Sequence, residues 1–224
     1  MNNLLKTYNF SNFEIVKGNG SYLYTADNKK LLDFSAGVAV NSLGYNHAVV
    51  KKTIQEQLKT GITHLSGSQI HLYKNKLSQL LSKESNKGDV FFSNSGAESI
   101  EAALKIARNF GSGKGRDEII AMTSSFHGRT IGALSVGSNK AYKTDIGPVP
   151  GKVKFCKFND SKNLKQLINK KTLAIIIEFI QGDGGINICS RDFAKTIKDI
   201  CKKRKILLIA DEIQGGIGRT GKVF

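Results

Sequence analysis

The chain has 224 residues, 40% of them hydrophobic and 23% charged, with only 2 prolines; this suits one large domain or a domain and a half and excludes a disordered or fibrous protein. Lys and Arg outnumber Asp and Glu by 34 to 18, a formal net charge of +16, which permits binding to nucleic acid, an anionic membrane or anionic metabolites. The lysines are scattered as pairs (Lys29-Lys30, Lys51-Lys52, Lys170-Lys171, Lys202-Lys203), so they read as a solvated surface and not as the basic, aromatic-interleaved face that nucleic acid requires.

The opening segment, MNNLLKTYNF, has neither an apolar core of signal-peptide length nor an arginine-rich amphipathic pattern. Residues 13–34 read as strands with turns: Gly18-Asn19-Gly20, then Tyr22-Leu23-Tyr24, a turn at Asp27-Asn28-Lys29, then Leu31-Leu32-Asp33-Phe34. A helix is expected over 47–60, where Val49, Val50, Ile54 and Leu58 share a face, and another over 70–83 through Leu72, Leu77, Leu80 and Leu81. From about residue 88 short apolar runs alternate with helical segments. They run Val90-Phe91-Phe92, helix 97–110, Glu118 to Met122, a helix after Arg129, and Val153 to Phe155. Helix 160–169, Leu173 to Ile177, helix 191–203 and Ile206 to Ala210 complete the series. Such alternation implies an α/β fold, a mainly parallel sheet with helices on both faces. The longest apolar stretch, Leu173 to Ile180, is interrupted by Glu178 and is too short to span a membrane. Cys156, Cys189 and Cys201 lack metal-ligand spacing and suit a reducing compartment as small buried groups. A cytoplasmic protein with no metal, nucleic-acid or membrane partner is the expectation.

In parallel sheets ligands bind beyond the carboxyl ends of the strands. After Val90-Phe91-Phe92, Ser95 and Glu98 have capping-box spacing at a helix start. The same start could seat a phosphate through free N–H groups, with Gly96 allowing close approach. After Met122, the loop Ser125-Phe126-His127-Gly128-Arg129 offers a ring that could stack on a flat ligand and a guanidinium that could fork onto a carboxylate. His127 alone reads as a hydrogen-bonded loop histidine. After Ile177, Glu178 is a carboxylate that needs a partner, and Arg129 is a candidate. After Ala210 comes Asp211, expected to be buried; a protonated pyridine nitrogen is one cation that could hold it there, and Gln214 could bond a neighbouring phenolic oxygen. A strand-end metal ligand of a nucleotide hydrolase is the competing reading, and it lacks the upstream glycine-rich loop ending in Gly-Lys-Ser/Thr.

The ordered segments NSGAESIEAALKIAR, SFHGRTIGALSVG, IIIEFIQGDGG and LLIADEIQGGIGRTG, with GSYLYTADNKKLLDFSAGVAVNSLGYNH before them, resemble the class III (ornithine-type) aminotransferases of fold-type I. FHGRT with VPGKVKFCKFND is nearest the members acting on N-acetylornithine. The resemblance implies pyridoxal 5′-phosphate as cofactor. Ser95, Gly96 and Ala97 would hold its phosphate, Phe126 would stack on its ring, and Asp211 and Gln214 would bind N1 and the phenolic oxygen. Arg129 would bind the substrate carboxylate, and Glu178 would pair with an arginine. It also implies a homodimer, an amino donor and 2-oxoglutarate as substrates, and residues 1–60 in a small α+β domain ahead of an incomplete large domain at 61–224. The Schiff-base lysine of that family lies further on than Phe224, and none of the lysines present matches it. The expectation is therefore an aminotransferase sequence cut before its catalytic lysine and inactive by itself. The alternatives are another donor of the class (ornithine, succinylornithine or 4-aminobutyrate) or a catalytically dead basic fragment with a binding role. Tyr45, Ala48, Ser99-Ile100, Phe179 and Asp183 depart from the usual pattern.

Overall fold

A computed structural model describes residues 3–5, 7, 10–85, 87–144 and 146–224, so part of the opening MNNLLKTYNF lies outside the described residues. The chain divides into two compact units, Met1–Lys74 and Asn75–Phe224.

The first unit carries an antiparallel sheet of β1 (Ile15–Asn19), β2 (Tyr22–Thr25) and β3 (Lys30–Leu32) in that order. Gly20 (φ +54°) and Asn28 (φ +62°) take the left-handed backbone at its two turns, as tight hairpins demand. β3 stops at Leu32, short of the expected Phe34, because Asp33 leaves the ladder: its carboxylate accepts from the Ser35 and Ala36 N–H groups and from the Tyr45 hydroxyl at 2.7 Å. Helix α1 (Ala48–Lys59) follows, and α2 (Leu72–Glu84) begins near the end of the unit. Val49, Val50, Ile54 and Leu58 do share a face of α1, and all four are exposed.

The second unit is a four-stranded sheet in the order β5-β4-β6-β9: β4 (Glu118–Met122), β5 (Lys152–Cys156), β6 (Thr172–Ile177) and β9 (Leu207–Ala210). All three pairings are parallel. Alternate residues of the central strands feed two cores. Ile119, Ala121, Ala174 and Ile176 face α3 (Gly96–Gly111) and α4 (Ile131–Val136). Ile120, Met122, Ile175 and Ile177 face α5 (Ser161–Leu167) and α6 (Arg191–Arg204). Every residue of β6 is buried, which is why its sequence is a continuous apolar run without strand alternation. The helices carry their own end signals. Ser95, Asp160 and Ser190 cap α3, α5 and α6. α6 ends on Lys202, Lys203 and Arg204, and Arg116 donates to the carbonyls of Arg204 and Lys205 beyond it.

Val90-Phe91-Phe92, expected as a strand, is not one: no strand of the sheet pairs with it, and Phe91 is exposed. An apolar run becomes a strand only through a neighbour's backbone. Conversely, a short hairpin of β7 (Ile180–Gln181) and β8 (Asn187–Ile188) forms around the glycine turn at 182–185. Cys156 and Cys201 are buried and Cys189 is half-buried, all three as free thiols. Among the described residues no helix is long and apolar enough to cross a membrane.

Candidate active site

Because β4, β6 and β9 run parallel, the segments leaving them (123–130, 178–186 and 211–216) emerge on one side of the sheet. The N-terminus of α3 joins them through glycines. A Cβ on Gly96 would lie 2.8 Å from Ile213 Cγ2, and one on Gly128 (φ +125°) 2.8 Å from the Ala97 side chain. A Cβ on Gly182 would fall on the Gln214 side-chain oxygen, and one on Gly184 on the Ser124 carbonyl. Bare α-carbons therefore let four segments from distant parts of the chain interlock closely.

Ser95 forms a full capping box: its Oγ accepts from Glu98 N at 3.2 Å, and Glu98 Oε2 accepts from Ser95 N at 3.0 Å. The Gly96 and Ala97 N–H groups have no acceptor among the described residues, and they stand at the positive end of a 16-residue helix. The capping box uses the Ser95 hydroxyl oxygen as acceptor and leaves its hydrogen available to donate.

Asp211 follows β9 directly and is buried. Its Oδ2 lies 2.6 Å from His127 Nδ1, and its Oδ1 accepts from the Ile213 N–H at 3.1 Å. A carboxylate only accepts, so Nδ1 carries the shared proton. His127 Nε2 is then left buried with no hydrogen-bond partner. The sequence pointed to Asp211 but treated His127 as an ordinary loop residue. The usable signal was its place beside Phe126, since neighbouring residues in extended chain project to opposite sides.

Glu178 ends β6 and is buried. Its Oε2 accepts from the Phe126 N–H at 3.0 Å. Burial pushes this carboxyl up to about 7; the Phe126 N–H and His127 oppose the rise, while Asp211 and Asp183 add to it. The expected ion pair of Glu178 with Arg129 is not formed among the described residues. Arg129 is exposed, and its guanidinium lies 3.8 Å from the centroid of the Tyr142 ring and 5.7 Å from that of Phe126. The Tyr142 and Phe126 rings offer the cation a competing face. Phe126 and Tyr142 meet edge to face at 5.9 Å. Tyr142, in a short 3₁₀ turn over Lys140–Lys143, was not foreseen.

The structure thus brings Ser95, Gly96, Ala97, Phe126, Glu178, Asp211 and Gln214 into one linked set of loops, with Arg129 at its exposed margin. Its contents are an unpaired pair of N–H donors, a buried acid held by a histidine, an aromatic ring and a guanidinium resting on the Tyr142 ring. No group of three or more metal-ligating side chains occurs among the described residues.

Comparison with known proteins agrees with this chemistry. Aminotransferase class-III matches residues 6–224. An acetylornithine aminotransferase of Halalkalibacterium halodurans is 41% identical over 224 residues, all of this chain and 57% of that protein. One from Clostridium acetobutylicum is 43% identical over 186 residues, 82% of this chain and 48% of that protein. The chain therefore spans about half the length of the curated relatives it matches. Among solved structures, the ornithine aminotransferase of Toxoplasma gondii, with partial pyridoxal-phosphate occupancy at its active site, superposes with a TM-score of 0.92 at 27% identity. The match covers 99% of this chain and 53% of that one. An amine transaminase from an uncultivated Pseudomonas species, solved in its cofactor-bound form, gives 0.88 at 26% identity over 97% of this chain and 58% of that one. The chain belongs to the class-III aminotransferases, a family dependent on pyridoxal phosphate.

Proposed function

We propose that this chain is the cofactor-holding part of an aminotransferase that moves the δ-amino group of N-acetylornithine to 2-oxoglutarate, a step of arginine synthesis, as a cytoplasmic homodimer. The observation that carries the reading is Asp211, a buried acid fixed by His127 within the same interlocked set of loops that carries the free N–H groups of Gly96 and Ala97. The choice of donor rests on the relatives named for acetylornithine. In this reading residues 1–60 belong to the small domain and 61–224 to the front of the large, cofactor-binding one.

The residues present fit the cofactor. The N–H groups of Gly96 and Ala97, with the Ser95 hydroxyl, would hold its phosphate. Asp211 would keep a proton on the ring nitrogen, and His127 would hold Asp211 in place for it. Gln214, seated against the bare α-carbon of Gly182, would donate to the phenolic oxygen, and Phe126 would cover a ring face. When bound, pyridoxal phosphate supplies an electron sink for the substrate carbon that loses its proton. Arg129 would take the substrate carboxylate bidentately. Glu178, which changes charge near neutrality, would set the charge that Arg129 and the incoming carboxylate meet.

The test is a chimera: this chain joined in frame to the remaining part of the Halalkalibacterium halodurans relative. It is supplied with pyridoxal phosphate, 2-oxoglutarate and, in turn, N-acetylornithine, ornithine and 4-aminobutyrate. Glutamate should form fastest with N-acetylornithine, and the 224-residue chain alone should form none. Faster turnover of ornithine or 4-aminobutyrate would reassign the substrate. Turnover by the chain alone would overturn the view that the proton-transferring lysine lies outside it.

A further inference from the structure

Helix α4 follows directly on the loop that carries Phe126 and Arg129, and its own cap is missing. Thr130 stands at the N-cap position in extended backbone (φ −72°, ψ 159°) but makes no side-chain cap hydrogen bond. The orphan donors of the first turn are instead met from another helix: Glu101 Oε1, on α3, accepts from the Gly132 N–H at 2.8 Å and the Ala133 N–H at 3.3 Å. These are the N2 and N3 positions, the two that a local cap would serve. Gly132 is required for the arrangement, because a Cβ there would collide with the Glu101 carboxylate.

A second contact lies one helical turn away. Ala97 and Glu101 are four residues apart on α3 and so share a face, and Gly128 and Gly132 are likewise four apart. Gly128 packs against Ala97 while Gly132 packs against Glu101. The chain is therefore held to the helix whose N-terminus carries the free N–H groups at two points, Gly128 within the Phe126–Arg129 loop and Gly132 just after it.

We propose that Glu101 is a positioning residue: by capping α4 from α3, it fixes the Phe126–Arg129 loop relative to the phosphate-binding end of α3. It touches neither cofactor nor substrate and acts through Gly132 and Ala133. The inference rests on the cofactor-site reading above, but its first test does not depend on it.

That test is amide hydrogen exchange of the 224-residue chain. In the wild type the Gly132 and Ala133 amides should be protected. In Glu101→Ala their exchange should speed by roughly fivefold or more, as loss of a cap implies, with the α6 amides unchanged. Glu101→Gln keeps an acceptor oxygen and should stay near wild type. Equal exchange in wild type and Glu101→Ala overturns the anchor. The second test is binding of pyridoxine 5′-phosphate, which has the ring and phosphate but no aldehyde, beside inorganic phosphate alone. Glu101→Ala should weaken the ring-bearing ligand by roughly fivefold and leave phosphate within about twofold; Glu101→Gln should restore ring binding. Faster amide exchange with unchanged ring binding overturns the positioning role. Absence of saturable pyridoxine phosphate binding in the wild type would instead overturn the cofactor-site reading and leave the anchor to the exchange result.

Discussion

Glu178 and Asp211 end neighbouring strands, yet their surroundings give them different work. Asp211 is met at both oxygens, by His127 and by the Ile213 N–H, whereas Glu178 has one N–H donor and sits among acids. A carboxyl raised from its ordinary 4.5 to about 7 in the folded state holds its proton more tightly than in the unfolded chain. The native state then binds more protons across that interval, so stability falls as pH rises from about 4.5 to about 7 and is flat on either side. Below the interval the group costs nothing; above it the cost is of the order of 3 kcal/mol at most. Glu178→Gln should remove that slope. In urea titrations the variant should gain on wild type between pH 5 and 8, and a pH-independent difference would show that Glu178 titrates normally.

At the scale of elements, the second unit was largely legible because β4 and β6 are buried on both faces and α3, α5 and α6 carry their caps in sequence. β4 was read to the residue, and β6 and β9 to within one. What escaped depended on partners. Residues 90–92 look like a strand but lack a neighbour to pair with, and the β7–β8 hairpin has only two residues a side. Glu101 looks like any polar helix residue, since its role comes from a backbone end supplied by a different helix. The candidate site was visible as a set of strand ends, while the glycine contacts that lock those ends together come from the fold. Burial also separates residues of the same type. Ile176→Ala, in the fully buried β6, should cost about 2–5 kcal/mol in urea denaturation. Ile54→Ala, on the exposed face of α1, should cost within about 0.5 kcal/mol; similar losses at both sites would contradict the division between core and uncovered face.

For the whole molecule, the two units differ in how much they bury. In the first unit α1 has no buried residue, and large apolar side chains from Phe34 through Tyr73 stand exposed. Exposed apolar faces of this kind bind hydrophobic dyes. The chain should enhance anilinonaphthalene sulfonate fluorescence, and the double substitution Ile54→Lys with Leu58→Lys should lower the signal without changing the midpoint of unfolding; an unchanged signal would mean that α1 is covered in solution. The functional centre rests on Asp211, and the most direct measurement is the state of the ring nitrogen it is proposed to hold. With ¹⁵N-labelled pyridoxine 5′-phosphate, at a pH where the free ring nitrogen is unprotonated, the wild-type chain should shift the nitrogen resonance to the pyridinium position. Asp211→Asn should leave it at the unprotonated one. An unprotonated nitrogen in the wild-type complex, or the same shift in both proteins, would contradict the assignment of Asp211.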